Sequence, residues 1–189
     1  MNMEVKDLDV KLRMALKGNP IPQLNHGIQP QPAAVLIPFI NLDGKWHLLF
    51  TKRTNGVAKH QGEISFPGGA AEVEDRDLIQ TAVRETCEEI GVPGSKIQVL
   101  GVLKPVPTVS NYCVLPVISI VEWPQQLALN HNEVEDVLVI PIDWLKDSEN
   151  WYEDDFCYEP GKFKKVIHYQ NFHGEHLWGL TAHLAQIAI

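Results

Sequence analysis

One stretch constrains this chain more than any other. Across residues 77–90, Leu78, Ile79, Ala82, Val83, Cys87 and Ile90 recur at helical spacing, and Gly91 followed by Pro93 ends the pattern. Asp75 or Asp77 is placed to cap the start, where a carboxylate accepts free backbone N–H groups. On the same helix Glu85, Glu88 and Glu89 stand at i, i+3 and i+4. At about 100° per residue they share one arc beside the apolar face. Like charges this close destabilise an isolated helix, so the fold must supply something that offsets their repulsion. Clustered carboxylate oxygens are the donors that hard cations such as Mg²⁺ or Mn²⁺ take. A solvated acidic helix face is the ordinary alternative, and two neighbours weigh against it. Gly68-Gly69 lets the backbone approach a ligand closely, and Arg84 is suited to fix one carboxylate by a two-pronged ion pair.

Around this helix the chain reads as mixed α/β. Residues 4–17 place Val5, Leu8, Leu12, Ala15 and Leu16 on one side of an amphipathic helix that ends near Gly18. A connector with Pro20, Pro22, Pro30 and Pro32 comes next, so residues 1–32 are expected to precede a single domain over residues 33–189. Residues 33–40 and 46–51 read as strands joined by an Asp43-Gly44 hairpin turn, and Pro38 inside the first suggests a sheet edge or a bulge. A polar loop then leads to a short strand at 64–66. Residues 97–103, 113–121 and 134–140 read as further strands, and 162–169 as a weaker one. Residues 141–146 suggest a short helix and 177–189 a closing one. Glu153-Asp154-Asp155 reads as a solvated turn.

The charge balance narrows the partners. Sixteen basic against 24 acidic residues leave a net charge of −8, a poor host for nucleic acid. No apolar run approaches the ~20 residues that span a bilayer, and the charged first residues do not resemble a secretory leader. Cys87, Cys113 and Cys157 are odd in number and far apart, so they read as small buried apolar groups in a reducing cytoplasm. His173 and His176 have no third ligand near them in sequence and read as structural or solvent-facing. Against this acidic background Lys52, Arg53, Lys59 and His60 gather cations just ahead of the glycine-rich turn. A small anionic ligand would find complementary charge there; an ordinary basic loop is the alternative.

Arg84-Glu85-Thr86-Cys87-Glu88-Glu89-Ile90-Gly91-Val92 resembles the second half of the Nudix box, Arg-Glu-apolar-x-Glu-Glu-x-Gly-apolar, and Gly69 sits where that box begins. The first half departs from the pattern. Asp75 stands in place of a glutamate, eight residues rather than seven separate it from Arg84, and Thr86 replaces an apolar residue. The resemblance implies a Nudix-type α/β/α sandwich with a mixed central sheet and a catalytic helix. It implies hydrolysis of a nucleoside diphosphate linked to another group, with Mg²⁺ or Mn²⁺ on Gly69, Glu85, Glu88 and Glu89. The cation would neutralise the diphosphate and lower the pKa of a bound water. Arg84 and Glu85 would serve in catalysis, with a further acid from a later loop, Glu133 first and Glu135 second.

Upstream, residues 48–69 are similar to the signature of the coenzyme A pyrophosphatase branch. Leu49, Thr51, Arg53, Gly62, Phe66, Pro67, Gly68 and Gly69 fall where similar residues are expected, and Thr54 replaces a usual serine. The usual arginine four residues before Gly62 is absent, with Ala58 there and Lys59 next to it. Gly101-Val102-Leu103, Asn111-Tyr112, Pro116 and the run from Trp178 to Ala182 extend the likeness toward the C-terminus. This likeness implies substrate binding by Arg53, Lys59, Gly62, Phe66 and Gly68. The implied reaction cleaves coenzyme A or its derivatives to adenosine 3′,5′-bisphosphate and 4′-phosphopantetheine. Two rivals stand beside it: a Nudix pyrophosphatase for ADP-ribose, a nucleotide sugar or a dinucleoside polyphosphate, and a silent Nudix-fold binding module. The expected partner is a small nucleotide, not nucleic acid or a membrane, with the chain a monomer or homodimer.

Overall fold

The computed structural model describes residues 5–24, 27, 29–54, 62–159 and 161–189. Its centre is a fork. β1 (Gln31–Leu42) and β2 (Lys45–Arg53) form a hairpin whose turn residues, Asp43 and Gly44, have φ of 50° and 79°, the positive values a tight hairpin turn needs. The two strands pair only from Leu42↔Lys45 to Phe39↔Leu48 and then part. The gap is filled by β3 (Ile64–Ser65), which pairs with Thr51 and Lys52, and β4 (Gly68–Ala70), which pairs with Ala33 to Val35. Between them the Leu36 N–H donates to the Pro67 carbonyl at 2.8 Å.

The glycine-rich segment is thereby wedged into the sheet rather than draped over it. On the far side of β1 lies parallel β7 (Tyr112–Val121), which in turn pairs with β5 (Ile97–Val102) and β6 (Val106–Pro107). β8 (Val134–Pro141) pairs with β2. The sheet is mixed, as expected. Pro38 does not mark an edge or a bulge; it lies in the most central strand. Its nitrogen has the parity of the Leu36 N–H, which points into the fork. Residues 36–38 have no strand partner on that side among the described residues, so the missing donor costs no ladder bond.

Strand alternation sends two sets of side chains to opposite faces. Ala34, Leu36, Ile40, Leu49, Leu115 and Val117 pack against Leu78, Ala82 and Ile90 of α2 (Leu78–Ile90). On the other face Ile37, Phe39, Leu48, Phe50, Ile118 and Ile140 share a core with α1 (Val5–Leu16), α3 (Ile142–Lys146) and α4 (Gly179–Ala188). The result is the α/β/α sandwich. None of the helices among the described residues is long and apolar enough to cross a membrane.

A separate ribbon of β9 (Trp151–Glu159) and β10 (Lys162–Tyr169) adjoins α4. Glu153, Asp154 and Asp155 are solvated but lie on a strand instead of a turn, opposite Ile167, Val166 and Lys165. Cross-strand charge compensates there, with Lys165 Nζ 3.0 Å from Asp155 Oδ1. Cys157 shares the outward position of β9 and is exposed, contrary to the buried reading, whereas Cys87 and Cys113 are half-buried.

Asp77, not Asp75, caps α2, its side chain accepting from the Gln80 N–H at 2.8 Å, and Gly91 closes the helix with φ of 71°. Asp77→Ala should lower stability by about 1 kcal/mol in urea unfolding, with Asp77→Ser losing less.

Candidate active site

Asp75 is released from capping for another task. Its carboxylate takes both prongs of Arg84, Nε at 3.0 Å on Oδ1 and Nη2 at 3.0 Å on Oδ2. It also accepts from the Thr81 hydroxyl and the Glu72 N–H, each at 2.9 Å. Asp75 is 5% exposed. The guanidinium holds its carboxyl down at about 2, and the same hydrogen bonds push the Arg84 pKa up. The shorter acid and the extra loop residue thus compensate each other. Thr86, the other departure, is fully buried, and its hydroxyl donates to Ala82 O at 2.7 Å, one turn back.

Arg84 also faces the glutamates. Its Nη1 lies 2.9 Å from both Glu85 Oε1 and Glu88 Oε2, and Nη2 donates to Ala70 O at 3.2 Å. Glu89 is turned inward, 2% exposed, and accepts from the Gly68 N–H at 3.3 Å. Burial raises the Glu89 pKa to about 8, and burial likewise raises that of Glu85 despite the guanidinium beside it. Glycine is required at Gly68, which meets the β1 backbone, whereas a side chain at Gly69 would displace the Glu85 carboxylate. A Cβ on Gly68 (φ 154°) would sit 2.3 Å from Ala34 O, and one on Gly69 would sit 2.6 Å from the Glu85 carboxyl carbon.

Carboxylates held where charge is disfavoured form an oxygen donor set that a divalent cation would stabilise, so Glu85 and Glu89, with Glu88 at the open edge, fit such an ion. Among the described residues no three acidic, imidazole or thiol side chains already converge at ligand spacing; Arg84 takes the place between Glu85 and Glu88.

The segment that carries Glu133 is fastened to the end of α2. Ala128 N–H donates to Ile90 O at 3.1 Å and Asn130 N–H to Glu89 O at 2.9 Å. From the other side the Thr54 N–H and hydroxyl reach Glu133 O and Asn132 O at 2.9 and 3.1 Å. Glu133 is half-buried, its charge adds to the upward shifts of Glu85 and Glu89, and the Asn130 amide is 3.4 Å away. Glu135 lies elsewhere. It pairs at 3.2 Å with Lys52, which also meets Glu175 at 2.9 Å. Lys52 and Arg53 are successive residues on β2 and point to opposite faces.

Arg53 faces the helix, with Nη1 4.0 Å from Glu89 Oε1 and a buried Nε that has no partner among the described residues. Gly62 closes the loop, its N–H 3.2 Å from Arg53 O. Lys59 and His60 lie outside the described residues. Phe66 is 2% exposed and stacks on Phe50 at 4.6 Å in the core away from α2, so its ring has no surface to offer a substrate. His176 is exposed and lies beside His168, ring nitrogens 3.3 Å apart, in line with the solvent-facing reading. The residues that the sequence did not single out are Asn130 and Thr81, whose roles arise only from folding.

Asp75 makes its own contribution to the pH dependence, with a definite sign. Its folded pKa lies below the ordinary value of 3.8, so its contribution is fully present above that value and is lost as pH falls through about 2. Asp75→Asn should cost about 2 kcal/mol in urea unfolding at neutral pH. The gap from wild type should narrow below about pH 4 and close only as pH falls through about 2.

Residues 30–159 match the family model of the NUDIX domain. The chain is 35% identical over 161 residues to the uncharacterized Nudix hydrolase NudL of Pectobacterium atrosepticum, covering 85% of this chain and 82% of that one. It is 36% identical over 165 residues to the mitochondrial coenzyme A diphosphatase NUDT8 of Homo sapiens, covering 85% and 69%. In fold it is similar to a C. elegans Ap4A hydrolase binary complex, with a TM-score of 0.50, 20% identity and coverage of 60% and 81%. A MutT/nudix family protein from Enterococcus faecalis gives a TM-score of 0.51 at 14% identity, covering 88% and 62%. With the glutamate helix seated under a wedged Gly-Gly turn, these likenesses leave one conclusion: the chain belongs to the Nudix family, in its coenzyme A pyrophosphatase-like branch, and is a hydrolase of diphosphate bonds.

Proposed function

We propose that this hydrolase cleaves the diphosphate of coenzyme A or its derivatives, giving adenosine 3′,5′-bisphosphate and 4′-phosphopantetheine or its acyl form. The observation that carries the reading is the position of Arg53, Gly68 and Gly69, at the two described ends of the segment 53–69, against Glu85 and Glu89. The sequence of that segment resembles the coenzyme A branch, and a relative 36% identical is named a coenzyme A diphosphatase.

Glu85, Glu88 and Glu89, with the Gly69 carbonyl, hold Mg²⁺ or Mn²⁺. When bound, the cation supplies charge neutralisation and Lewis acidity at the diphosphate. Arg84 orients Glu85 and Glu88 while Asp75 fixes Arg84 in turn. Arg53, with a donor to spare, binds a phosphate oxygen together with Lys59, and Gly62 and Gly68 shape the loop that receives it. Glu133 takes the proton of the attacking water. Three free thiols suit a reducing compartment such as the cytoplasm.

Hydrolysis of coenzyme A, its dephospho form and ADP-ribose, with the products identified, tests the substrate. Coenzyme A should be preferred; indifference to the 3′-phosphate would count against the reading. Glu85→Gln or Glu89→Gln should cost several orders of magnitude in kcat, and neither should unfold the protein. Gln is neutral and keeps an acceptor for the Gly68 N–H, so Glu89→Gln should leave urea stability intact. Glu133→Gln should lower kcat on the order of a hundredfold. Glu135→Gln, on the other face, should stay near wild type.

A further inference from the structure

Glu85 and Glu88 face Arg84, Glu89 faces Arg53, and Glu135 and Glu175 share Lys52. Glu133 is held differently: its Oε1 accepts from the side-chain amide of Asn130 at 3.4 Å. A neutral amide fixes the direction of a carboxylate without the full charge that would oppose uptake of a proton.

The other end of the amide settles which way round it lies. Asn130 Oδ1 accepts from the Asn132 N–H at 3.2 Å, two residues on, in a turn that asparagine favours. The NH2 end is thereby left toward Glu133, and a carboxylate can only accept. The main chain of Asn130 is fixed as well. Its N–H donates to Glu89 O at 2.9 Å, and its carbonyl accepts from the N–H groups of Glu133 and Val134 at 2.9 and 2.8 Å. One half-buried residue thus holds the glutamate helix through its backbone and the head of Glu133 through its side chain. Thr54 grips only the carbonyls of Asn132 and Glu133, which leaves the rotation of the carboxylate to Asn130.

We propose that Asn130 is a positioning residue for the hydrolysis: its amide aims the Glu133 carboxylate at the water that attacks the diphosphate. The inference rests on the reading of Glu133 as the proton acceptor. With Oε1 engaged by the amide, Oε2 is the oxygen that takes the proton. Proton transfer needs the acceptor within hydrogen-bond reach and in line. A looser carboxylate therefore costs turnover and leaves substrate binding as it was.

Two variants keep the turn and remove the donor. In Asn130→Ser the hydroxyl still accepts from the Asn132 N–H but is too short to reach Glu133. Asn130→Asp keeps the same acceptor and sets an oxygen where the NH2 stood. The kcat should fall about tenfold in Asn130→Ser and further in Asn130→Asp, with KM within about twofold of wild type. Titration with Mn²⁺ alone should give wild-type affinity in Asn130→Ser. On a Glu133→Gln background, Asn130→Ser should change kcat by less than about twofold, because the group it aims is gone. His131→Ala, exposed in the same turn, should match wild type. Wild-type kcat in both Asn130 variants, or a raised KM with kcat unchanged, would overturn the proposal. So would Mn²⁺ affinity that falls in step with kcat, or an undiminished effect on the Glu133→Gln background. Wild-type turnover in Glu133→Gln by itself would refute the proton-acceptor reading, and the proposal would fall with it.

Discussion

A guanidinium has five N–H donors in a rigid plane, and Arg84 uses the plane to join three parts of the chain. One edge is fixed on Asp75, the other is shared between Glu85 and Glu88, and a third contact reaches Ala70 O. Without it the acidic arc of α2 would carry uncompensated repulsion, and the loop from β4 to α2 would lose its anchor. Asp75 makes the arrangement rigid because its own oxygens are further held by Thr81 and Glu72. The pair is almost fully desolvated on the Asp75 side, where removing one partner leaves the other stranded.

The fork in the sheet does the complementary work. Because β1 and β2 part beyond Phe39 and Leu48, a short segment can enter the sheet and present its backbone to the helix. Gly68 lies against β1, too close for a side chain, and Gly69 lies against Glu85. Glu89 is then enclosed by that backbone, which raises its pKa and leaves it poised for a cation.

Much of this was legible in the sequence, and the failures have physical causes. The helix could be read because its apolar period and stop signal agree, and the glutamates because spacing alone places them on one arc. The Asp43-Gly44 hairpin was legible through turn chemistry. Pro38 misled because the rule for proline concerns donors facing a neighbour, and no residue pattern reveals that the strand faces a gap there. Phe66 misled for a different reason: proximity in sequence to a glycine-rich loop does not say which side of the sheet a ring enters. Asp75 and Asp77 are equivalent as caps on paper; only the reach of Arg84 separates them. The ribbon strand over Glu153 to Asp155 lacks apolar alternation because its side chains lie almost wholly in solvent.

The two backbone bonds from Ala128 and Asn130 to the last carbonyls of α2 carry a consequence for how such a chain can diverge. They index the next strand to the helix itself and not to the strand that came before. Insertions after β7 and ahead of residue 128 would therefore bulge outward while Glu133 kept its distance from Glu85 and Glu89. Length is free to vary on one side of that clasp and is locked on the other.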